Sequence, residues 1–319
     1  MTGIETIGAD LGGTNLALCV LGSESGTVWE DQVSSSGYSQ EQVIDLLVRE
    51  VERAREARPS VAGVGLGIPA RIDFEEGHAI DTVNLDFEQL PVRDLIGERT
   101  GLPAFVDNDG NVAMMAEALF GAAKGARHAL MLTLGTGVGG GIWIDGRTYR
   151  GASGAAAQLG HTVVEIDGPR CQGNCPGRGC IEAFASGTGI AKLGTRSATD
   201  NPDSALARVT ATGQEITARE VNEAASAGDS AAIAVVEEVG HYLGTALVSL
   251  SNIFEPEVIV LGGGAMAFGD LLLEPVRQEV AARALSPMDA TPVVAARLGP
   301  AAGMIGAAAL ARVELEAAR

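Results

Sequence analysis

The chain has 319 residues, of which 41 are Asp or Glu and 22 are Lys or Arg, so that its formal net charge is −19. This charge argues against a nucleic-acid binder, because phosphate backbones are held by basic surfaces. The 43 glycines are an excess without the Gly-x-y period of collagen or the proline enrichment of disordered chains. A hydrophobic fraction of 46% is enough for a large core, in one large or two ordinary domains.

The first half of the chain alternates predicted strands and helices. Apolar patterning predicts strands at Ile4–Leu11, Asn15–Leu21, Thr27–Ser34, Val61–Ile68, Ala104–Asp107 and His128–Leu134, and helices at Gln40–Arg58 and Asn111–Phe120. The segment Val61–Ile68 is almost wholly apolar, which is typical of a strand covered on both faces. This alternation predicts a layered α/β architecture.

The second half begins with a loop rich in Gly, Cys and Pro, which extends from Gly160 to Cys180. The pattern then predicts a long helix capped by Asp229, a strand at Glu257–Leu261, a helix at Leu271–Ala284, a strand at Pro292–Ala296 and a final helix from Ala301. Only Thr195–Asp203 reads as a linker. No apolar run approaches the ~18 residues of a membrane helix. The N-terminus has no signal-peptide pattern, so we expect a cytoplasmic protein without a membrane partner.

Two glycine turns resemble each other and form a weak internal repeat. An apolar strand enters Asp10-Leu11-Gly12-Gly13-Thr14, and another enters Gly135-Thr136-Gly137. Glycines allow backbone N–H groups to approach phosphate oxygens, and Asp10 suits a hydrated Mg²⁺. A plain hairpin explains the first turn equally well, but five glycines within Gly135–Gly141 favour phosphate binding. Neither turn has the P-loop or the Rossmann pattern.

Three further clusters carry polar or glycine residues at positions that suit a site. Asn108 and Asp109 follow a strand. This position suits a general base beside an amide that hydrogen-bonds a polyhydroxylated ligand. Capping of the following helix explains the two residues equally well. Gly262, Gly263 and Gly264 end a buried strand, where a base or ribose can lie against the backbone. A closed, structural Cys₃His zinc site is predicted from His161, Cys171, Cys175 and Cys180.

Together these motifs resemble the ROK family, and within it the glucokinase-like sugar kinases. The resemblance covers nearly the whole chain. It rests on Asp10–Thr14, Asn84-Leu85, Asn108-Asp109, Leu134–Gly137, Gly160-His161, Gly179-Cys180-Ile181-Glu182, Gly262–Gly264 and Ala302–Ala308.

The resemblance implies a two-domain actin-like ATPase fold, which is ribonuclease H-like and has an interdomain cleft. The small α/β domain would comprise residues 1–122, completed by the C-terminal helix 302–319, and the large α/β domain residues 123–301 with a zinc loop at 161–180. A homodimer is expected from the family.

The resemblance also implies ATP-dependent phosphorylation of a hexose at its 6-hydroxyl, with glucose as the expected sugar. ATP·Mg²⁺ would lie against Asp10, Gly12, Gly13, Thr14, Gly135, Thr136 and Gly137, with adenosine near Gly262, Gly263 and Gly264. Asp109 would be the catalytic base. The sugar would also be bound by Asn84, Asn108, Gln158, His161 and Glu182.

Three positions depart from the family's pattern. Gln158 stands where many members have Glu, Pro69-Ala70 stands where many have Pro-Gly, and the C-x₃-C spacing makes Cys171 the least secure metal ligand. The first two keep another hexose or an N-acylhexosamine open as the substrate, of the fructose, allose or N-acetylmannosamine type. A polyphosphate donor has little to gain from so acidic a chain.

Two non-enzymatic alternatives are less favoured. A sugar-sensing repressor of the family would carry an N-terminal helix-turn-helix, for which the strand beginning near Ile4 leaves no room. A non-catalytic sugar-binding regulator is disfavoured because Asp10 and Asp109 are both retained.

Overall fold

The computed structural model of the chain describes residues 3–24, 26–82 and 88–319. The chain divides into two units. Unit 1 consists of Met1–Gly125, Gly141–Ala157 and Arg297–Arg319, and unit 2 consists of Ala126–Gly140 and Gln158–Ala296. Unit 1 is therefore assembled from three separate segments of the chain.

The first segment of unit 1 carries a mixed five-stranded sheet. The helices and strands of this segment, in chain order, are β1 (Thr6–Leu11), β2 (Asn15–Leu21), β3 (Thr27–Ser34), α1 (Gln40–Ala57), β4 (Val64–Ile68), β5 (Ala70–Asp73), β6 (His78–Thr82), β7 (Glu88–Leu90), α2 (Val92–Thr100), β8 (Ala104–Asn108) and α3 (Asp109–Phe120). The sheet has the order β3-β2-β1-β4-β8. β1, β2 and β3 are antiparallel, whereas β1, β4 and β8 are parallel. Every residue of β4 is buried, as its apolar run predicted.

A second five-stranded sheet uses strands from the middle and the end of the chain. The remaining elements are β9 (Ala129–Leu134), β10 (Val138–Ile144), β11 (Arg147–Thr148), α4 (Glu182–Ala185), α5 (Gly187–Asp200), α6 (Ala205–Ala211), α7 (Ala218–Ser226), α8 (Ser230–Phe254), β12 (Val258–Gly262), α9 (Asp270–Arg283), β13 (Val293–Ala295) and α10 (Ala302–Ala317). The order of this sheet is β11-β10-β9-β12-β13, and β9, β12 and β13 are parallel.

The predicted linker Thr195–Asp203 is wrong, because most of it belongs to helix α5. The hydroxyl of Ser186 caps this helix by accepting a hydrogen bond from the N–H of Gly189 at 3.0 Å. Ile190, Leu193 and Ala198 are buried on one side of it. Ser and Thr residues between these positions hid the helical spacing of the apolar side chains.

Helix α8 is long and apolar enough to span a membrane, although the sequence predicted no apolar segment of that length. The helix packs against α5, α7 and α9 of unit 2, and 56% of its most apolar stretch is buried. Asp229 caps it as predicted, because its carboxylate accepts a hydrogen bond from the N–H of Ala232 at 3.0 Å. These are features of a core helix.

The C-terminal helix α10 lies directly on the backbone of the first sheet. A Cβ atom at Gly8 of β1 would lie 1.9 Å from the carbonyl oxygen of Met304, and one at Gly65 of β4 would lie 1.8 Å from that of Ala307. Any side chain at these two positions would therefore force the helix away from the sheet. At such close approach the hydroxyl of Thr6 donates a hydrogen bond to the carbonyl of Ala308 at 2.8 Å.

A buried carboxylate fixes the segment that leads into α10. Glu117, near the end of α3, is 0% exposed. Its Oε2 accepts hydrogen bonds from the N–H groups of Ala122 at 2.6 Å and Arg297 at 3.2 Å, and its Oε1 accepts one from the N–H of Leu298 at 2.8 Å. The carboxylate thus holds the chain where it returns to unit 1.

We expect Glu117→Gln to lower the free energy of unfolding by about 2 kcal/mol. The amide keeps the shape of the side chain, but it has a single acceptor oxygen and turns its own N–H donors toward backbone N–H groups. Urea denaturation followed by circular dichroism measures the loss. The matched control is Glu257→Gln, because Glu257 is exposed and also accepts a hydrogen bond from a backbone N–H group, that of Arg127 at 2.7 Å. An equal loss in the two variants would contradict the role given to Glu117.

Candidate active site

Asp109 lies at the junction between β8 and α3. Asn108 is the N-cap of α3, since its Oδ1 accepts a hydrogen bond from the N–H of Gly110 at 2.9 Å. The helix therefore begins at Asp109 rather than at the predicted Asn111, and the capping interpretation of Asn108 is confirmed. The Nδ2 group of Asn108 donates a hydrogen bond to the carbonyl of Ala70 at 3.1 Å.

The carboxylate of Asp10 and the backbone of Asp109, both in unit 1, lie close to Gly67 of β4. A Cβ atom at Gly67 would lie 3.5 Å from Oδ1 of Asp10 and 3.8 Å from the Cα of Asp109. Burial raises the pKa of Asp10 to about 7, and the negative charge of Asp109 adds to this rise. Burial also raises the pKa of Asp109 to about 6, although hydrogen bonds from the N–H of Gly110 and from Asn108 oppose it. Buried carboxyl groups with raised pKa values are candidates for a functional site.

The carboxylate of Asp10 touches the first turn of α10. A Cβ atom at Gly303 would lie 2.0 Å from Oδ2 of Asp10, so only glycine leaves room for the carboxylate. The N-terminal end of a helix carries partial positive charge and favours an anion. Gly303 therefore brings the Ala302–Ala308 motif next to Asp10.

The first glycine turn joins β1 to β2 in unit 1. The N–H of Gly12 donates a hydrogen bond to the carbonyl of Asn15 at 2.8 Å. Gly13 and Thr14 are exposed, and the carbonyl of Thr14 accepts a hydrogen bond from the N–H of Ser35 at 2.9 Å. The backbone at the tip of this turn is therefore exposed to solvent, while hydrogen bonds hold the residues on either side of the tip.

The second glycine turn joins β9 to β10 and is held by Glu182. The N–H of Gly135 donates a hydrogen bond to the carbonyl of Gly137 at 2.9 Å, and the carbonyl of Gly135 accepts one from the N–H of Gly187 at 2.7 Å. Oε2 of Glu182 accepts a hydrogen bond from the N–H of Val138 at 2.8 Å. A Cβ atom at Gly137 would lie 2.5 Å from that oxygen. Thr136, between the two glycines, is exposed.

The predicted metal ligands come together in unit 2. One nitrogen of His161 and the sulfurs of Cys171, Cys175 and Cys180 all lie within 4.8 Å of one another. Cys171, the least secure ligand by its spacing, belongs to the cluster, because its sulfur lies 3.5 Å from Nδ1 of His161. Burial raises the pKa of the thiols of Cys171 and Cys180. Three thiols and one imidazole match the donor set of a closed tetrahedral metal site.

Gly262 is the last residue of the buried strand β12, and Gly263 and Gly264 follow it. Gly263 has a φ of 87°, and a Cβ atom there would lie 2.5 Å from the carbonyl oxygen of Leu134. Backbone conformation and space both require glycine at this position. A role of the three glycines toward adenosine stays a prediction.

Gln158 is exposed, and it follows a strained residue. Ala157 has a φ of 65°, in the left-handed region that favours glycine. The carbonyl of Gln158 accepts a hydrogen bond from the N–H of His161 at 3.0 Å, which links it to the metal cluster. Asn84, the remaining predicted sugar ligand, lies outside the described residues.

One polar residue that contacts the strand before Asp109 was not predicted from the sequence. Arg150 forms an ion pair with Asp107 at 2.7 Å, immediately before the Asn108-Asp109 pair. The two partners are 43 residues apart, and Arg150 sits in a loop with no charge pattern. A single sequence carries no signal for such a pair.

The comparisons with known proteins agree with this arrangement. A glycine turn after a leading strand in each unit, within α/β sheets, defines the actin-like class of two-domain folds. The model of the ROK family matches residues 6–314. The chain belongs to the ROK family, so that the resemblance and the fold class predicted from it are confirmed.

Relatives in the family include kinases and regulators. A glucokinase of Halalkalibacterium halodurans is 37% identical over 307 residues, which are 94% of this chain and 92% of that protein. A ROK family glucokinase from Streptomyces griseus, solved in complex with glucose and AMPPNP, is 33% identical with a TM-score of 0.84, over 97% of this chain and 99% of that one. A xylose repressor of Caldicellulosiruptor bescii is 29% identical over 289 residues, 86% of this chain and 69% of that protein.

We expect Ala157→Gly to stabilise the protein, by about 0.5 kcal/mol, because relief of the left-handed strain exceeds the gain in entropy of the unfolded chain. Thermal and urea unfolding measure the change. The neighbouring Ala156 does not have a positive φ, so Ala156→Gly should instead destabilise by about 0.5–1 kcal/mol. Changes of the same sign in both variants would contradict the strain at Ala157.

Proposed function

We propose that the protein is an ATP-dependent hexose kinase that transfers the γ-phosphoryl group of ATP to the 6-hydroxyl of glucose. The observation that carries this proposal is Asp109, a carboxylate at the end of β8 with a pKa raised to about 6 and with Asp10 close by. A base with such a pKa is ionised at neutral pH and takes a proton readily. The glucokinase relatives, one of them solved with glucose and AMPPNP, support this choice of reaction and sugar.

In the proposed reaction Asp109 removes the proton of the sugar 6-hydroxyl. The hydroxyl oxygen forms a bond to the γ-phosphorus, the bond from that phosphorus to the β,γ-bridging oxygen breaks, and ADP leaves. Little covalent chemistry is required of the protein, so positioning and neutralisation of charge dominate the catalysis. Asp10 would hold a hydrated Mg²⁺, and its raised pKa is the property of a carboxylate that gains from a cation.

Each unit would contribute its own set of contacts. On unit 1 we assign Gly12, Gly13 and Thr14 to phosphate, and Asn84 and Asn108 to the sugar. On unit 2 we assign Gly135, Thr136 and Gly137 to phosphate, Gly262, Gly263 and Gly264 to adenosine, and Gln158, His161 and Glu182 to the sugar. The structural metal would be Zn²⁺, bound by His161, Cys171, Cys175 and Cys180. A homodimer stays a prediction from the family, and a cytoplasmic location stays a prediction from the N-terminal sequence.

A second hexose or an N-acylhexosamine is the alternative substrate. Gln158 offers an amide where a carboxylate would form a charge-assisted hydrogen bond, a difference of ~1 kcal/mol or more. Ala70 is buried, and its carbonyl accepts the hydrogen bond from Asn108. The methyl group of Ala70 therefore lies near a proposed sugar ligand. Both residues favour a sugar with a different pattern of substituents.

The test is a coupled assay of ADP release on a panel of hexoses and N-acylhexosamines. We expect the highest kcat/KM with glucose, and a fall in kcat/KM as the pH drops through about 6, because protonated Asp109 no longer accepts a proton. Turnover of a different sugar at a higher kcat/KM would select the alternative substrate. Absence of ADP release with every sugar would refute the kinase proposal.

Asp109→Asn provides the control for the base in this assay. The variant should lower kcat by about 10²–10⁴-fold. It should also remove the limb of the pH profile near pH 6, whereas a limb that comes from Asp10, whose pKa is raised to about 7, should remain. Asp45→Asn is the matched variant, because Asp45 is an exposed carboxylate of unit 1 paired with Arg99. Unchanged turnover in Asp109→Asn would exclude Asp109 as the base.

Zinc binding is tested with Cys171→Ser. The purified protein should contain about one zinc ion per chain, and Cys171→Ser should lose it during dialysis against a weak chelator, because a hydroxyl is a poor ligand for zinc. Elemental analysis measures the metal content. Cys19→Ala controls for the loss of a thiol, since Cys19 lies in β2 and donates a hydrogen bond to the carbonyl of Met304. Equal zinc retention in both variants would remove Cys171 from the ligand set.

A further inference from the structure

An ion pair between Arg150 and Asp107 lies on the strand that leads into the proposed base. Asp107, on β8, is 1% exposed. Its Oδ2 accepts a hydrogen bond from Nε of Arg150 at 2.7 Å. Its Oδ1 accepts hydrogen bonds from the backbone N–H of Asn108 and from Nδ2 of Asn111, both at 2.8 Å. The carboxylate is thus bound to the N-cap residue of α3 and to a residue in the first turn of that helix.

Arg150 is itself held in place. Its guanidinium carbon lies 3.6 Å from the centre of the ring of Phe74, and its carbonyl accepts a hydrogen bond from the N–H of Ala156 at 3.0 Å. The side chain is 19% exposed. Arg150 therefore presents one fixed donor to Asp107 while the aromatic ring covers its face.

The free energy of unfolding alone does not account for the ion pair between Arg150 and Asp107. Apolar side chains of similar volume often replace a buried ion pair with no loss of stability, because both charges lose their hydration. The contacts of Asp107 suggest another use, since they fix the peptide group that joins it to Asn108. Asn108 in turn caps the helix on which Asp109 is the first residue.

We propose that Arg150 is a positioning residue for Asp109, which acts through Asp107 and the Asn108 peptide. This inference rests on the proposed function, because it takes Asp109 as the base. Without Arg150, the carboxylate of Asp107 turns toward the remaining donors, and the junction of β8 and α3 loses its fixed orientation. A misplacement of about 1 Å at a reacting group reduces the rate by about 10²-fold. Arg150 does not touch the substrate in this scheme.

The test compares Arg150→Met and Arg150→Lys with the wild type. We expect kcat to fall 10- to 100-fold in Arg150→Met, while the KM for ATP stays within twofold of the wild-type value. Arg150→Lys keeps a charged donor for Asp107 and should recover part of the loss. Arg53→Met is the matched control, since Arg53 pairs at 2.5 Å with Glu50, whose side chain is 2% exposed. This control should leave kcat unchanged.

A double variant separates positioning from a structural role. In the Asp109→Asn background no base remains to be positioned, so Arg150→Met should cause no further loss of kcat. A further loss as large as that in the wild type would overturn the proposal, as would a kcat of Arg150→Met within twofold of the wild type. Should Arg150→Met not fold, the same two comparisons are made with Arg150→Lys. Full activity of Asp109→Asn alone would refute the base, and with it the proposed mechanism, rather than the contact of Arg150.

Discussion

The close contact between α10 and the first sheet is the constraint on which the rest of unit 1 depends. Gly8 and Gly65 allow the helix backbone to touch the strands, and the buried guanidinium of Arg312 donates hydrogen bonds to the carbonyls of Leu21 at 2.9 Å and Gly22 at 2.7 Å. A charge buried against carbonyl oxygens tolerates little displacement, because each donor that is lost leaves a desolvated group. The last helix of the chain is therefore fixed to its first strands at both ends of the contact.

This packing determines the electrostatics of Asp10. The helix reaches the carboxylate at Gly303 and covers it, and burial then raises its pKa to about 7. The backbone of Asp109 also lies close to Gly67, and burial raises the pKa of its carboxyl group too. In a chain with a net charge of −19, no general attraction for a phosphorylated ligand exists. In the proposed function, local backbone N–H groups and a cation at Asp10 would supply this attraction.

The sequence was sufficient for features whose signal is local. Strand β4 has an apolar run, Asp229 precedes a helical stripe, and the cysteines of the metal cluster lie in one loop, so each could be predicted from neighbouring residues. The start of α3 was predicted two residues late, because Asn108 and Asp109 read equally well as a cap and as a site. Contacts between segments that are distant in the sequence could not be predicted. Glu117 meets Arg297 across 180 residues, and Arg150 meets Asp107 across 43, and neither pair leaves a periodic pattern.

The side chain of Glu182 contacts both the second glycine turn and the predicted metal ligands, which lie apart in the sequence. Its Oε2 holds the glycine turn at Val138, while its Oε1 lies 3.5 Å from the sulfur of Cys171. The thiol of Cys171 donates toward this oxygen, and burial favours its protonated form. A thiolate bound to a metal ion would lose that donor, while the cation would offset the negative charges of the thiolate and the carboxylate. Glu182 therefore connects the turn between β9 and β10 with the loop that carries the predicted metal ligands.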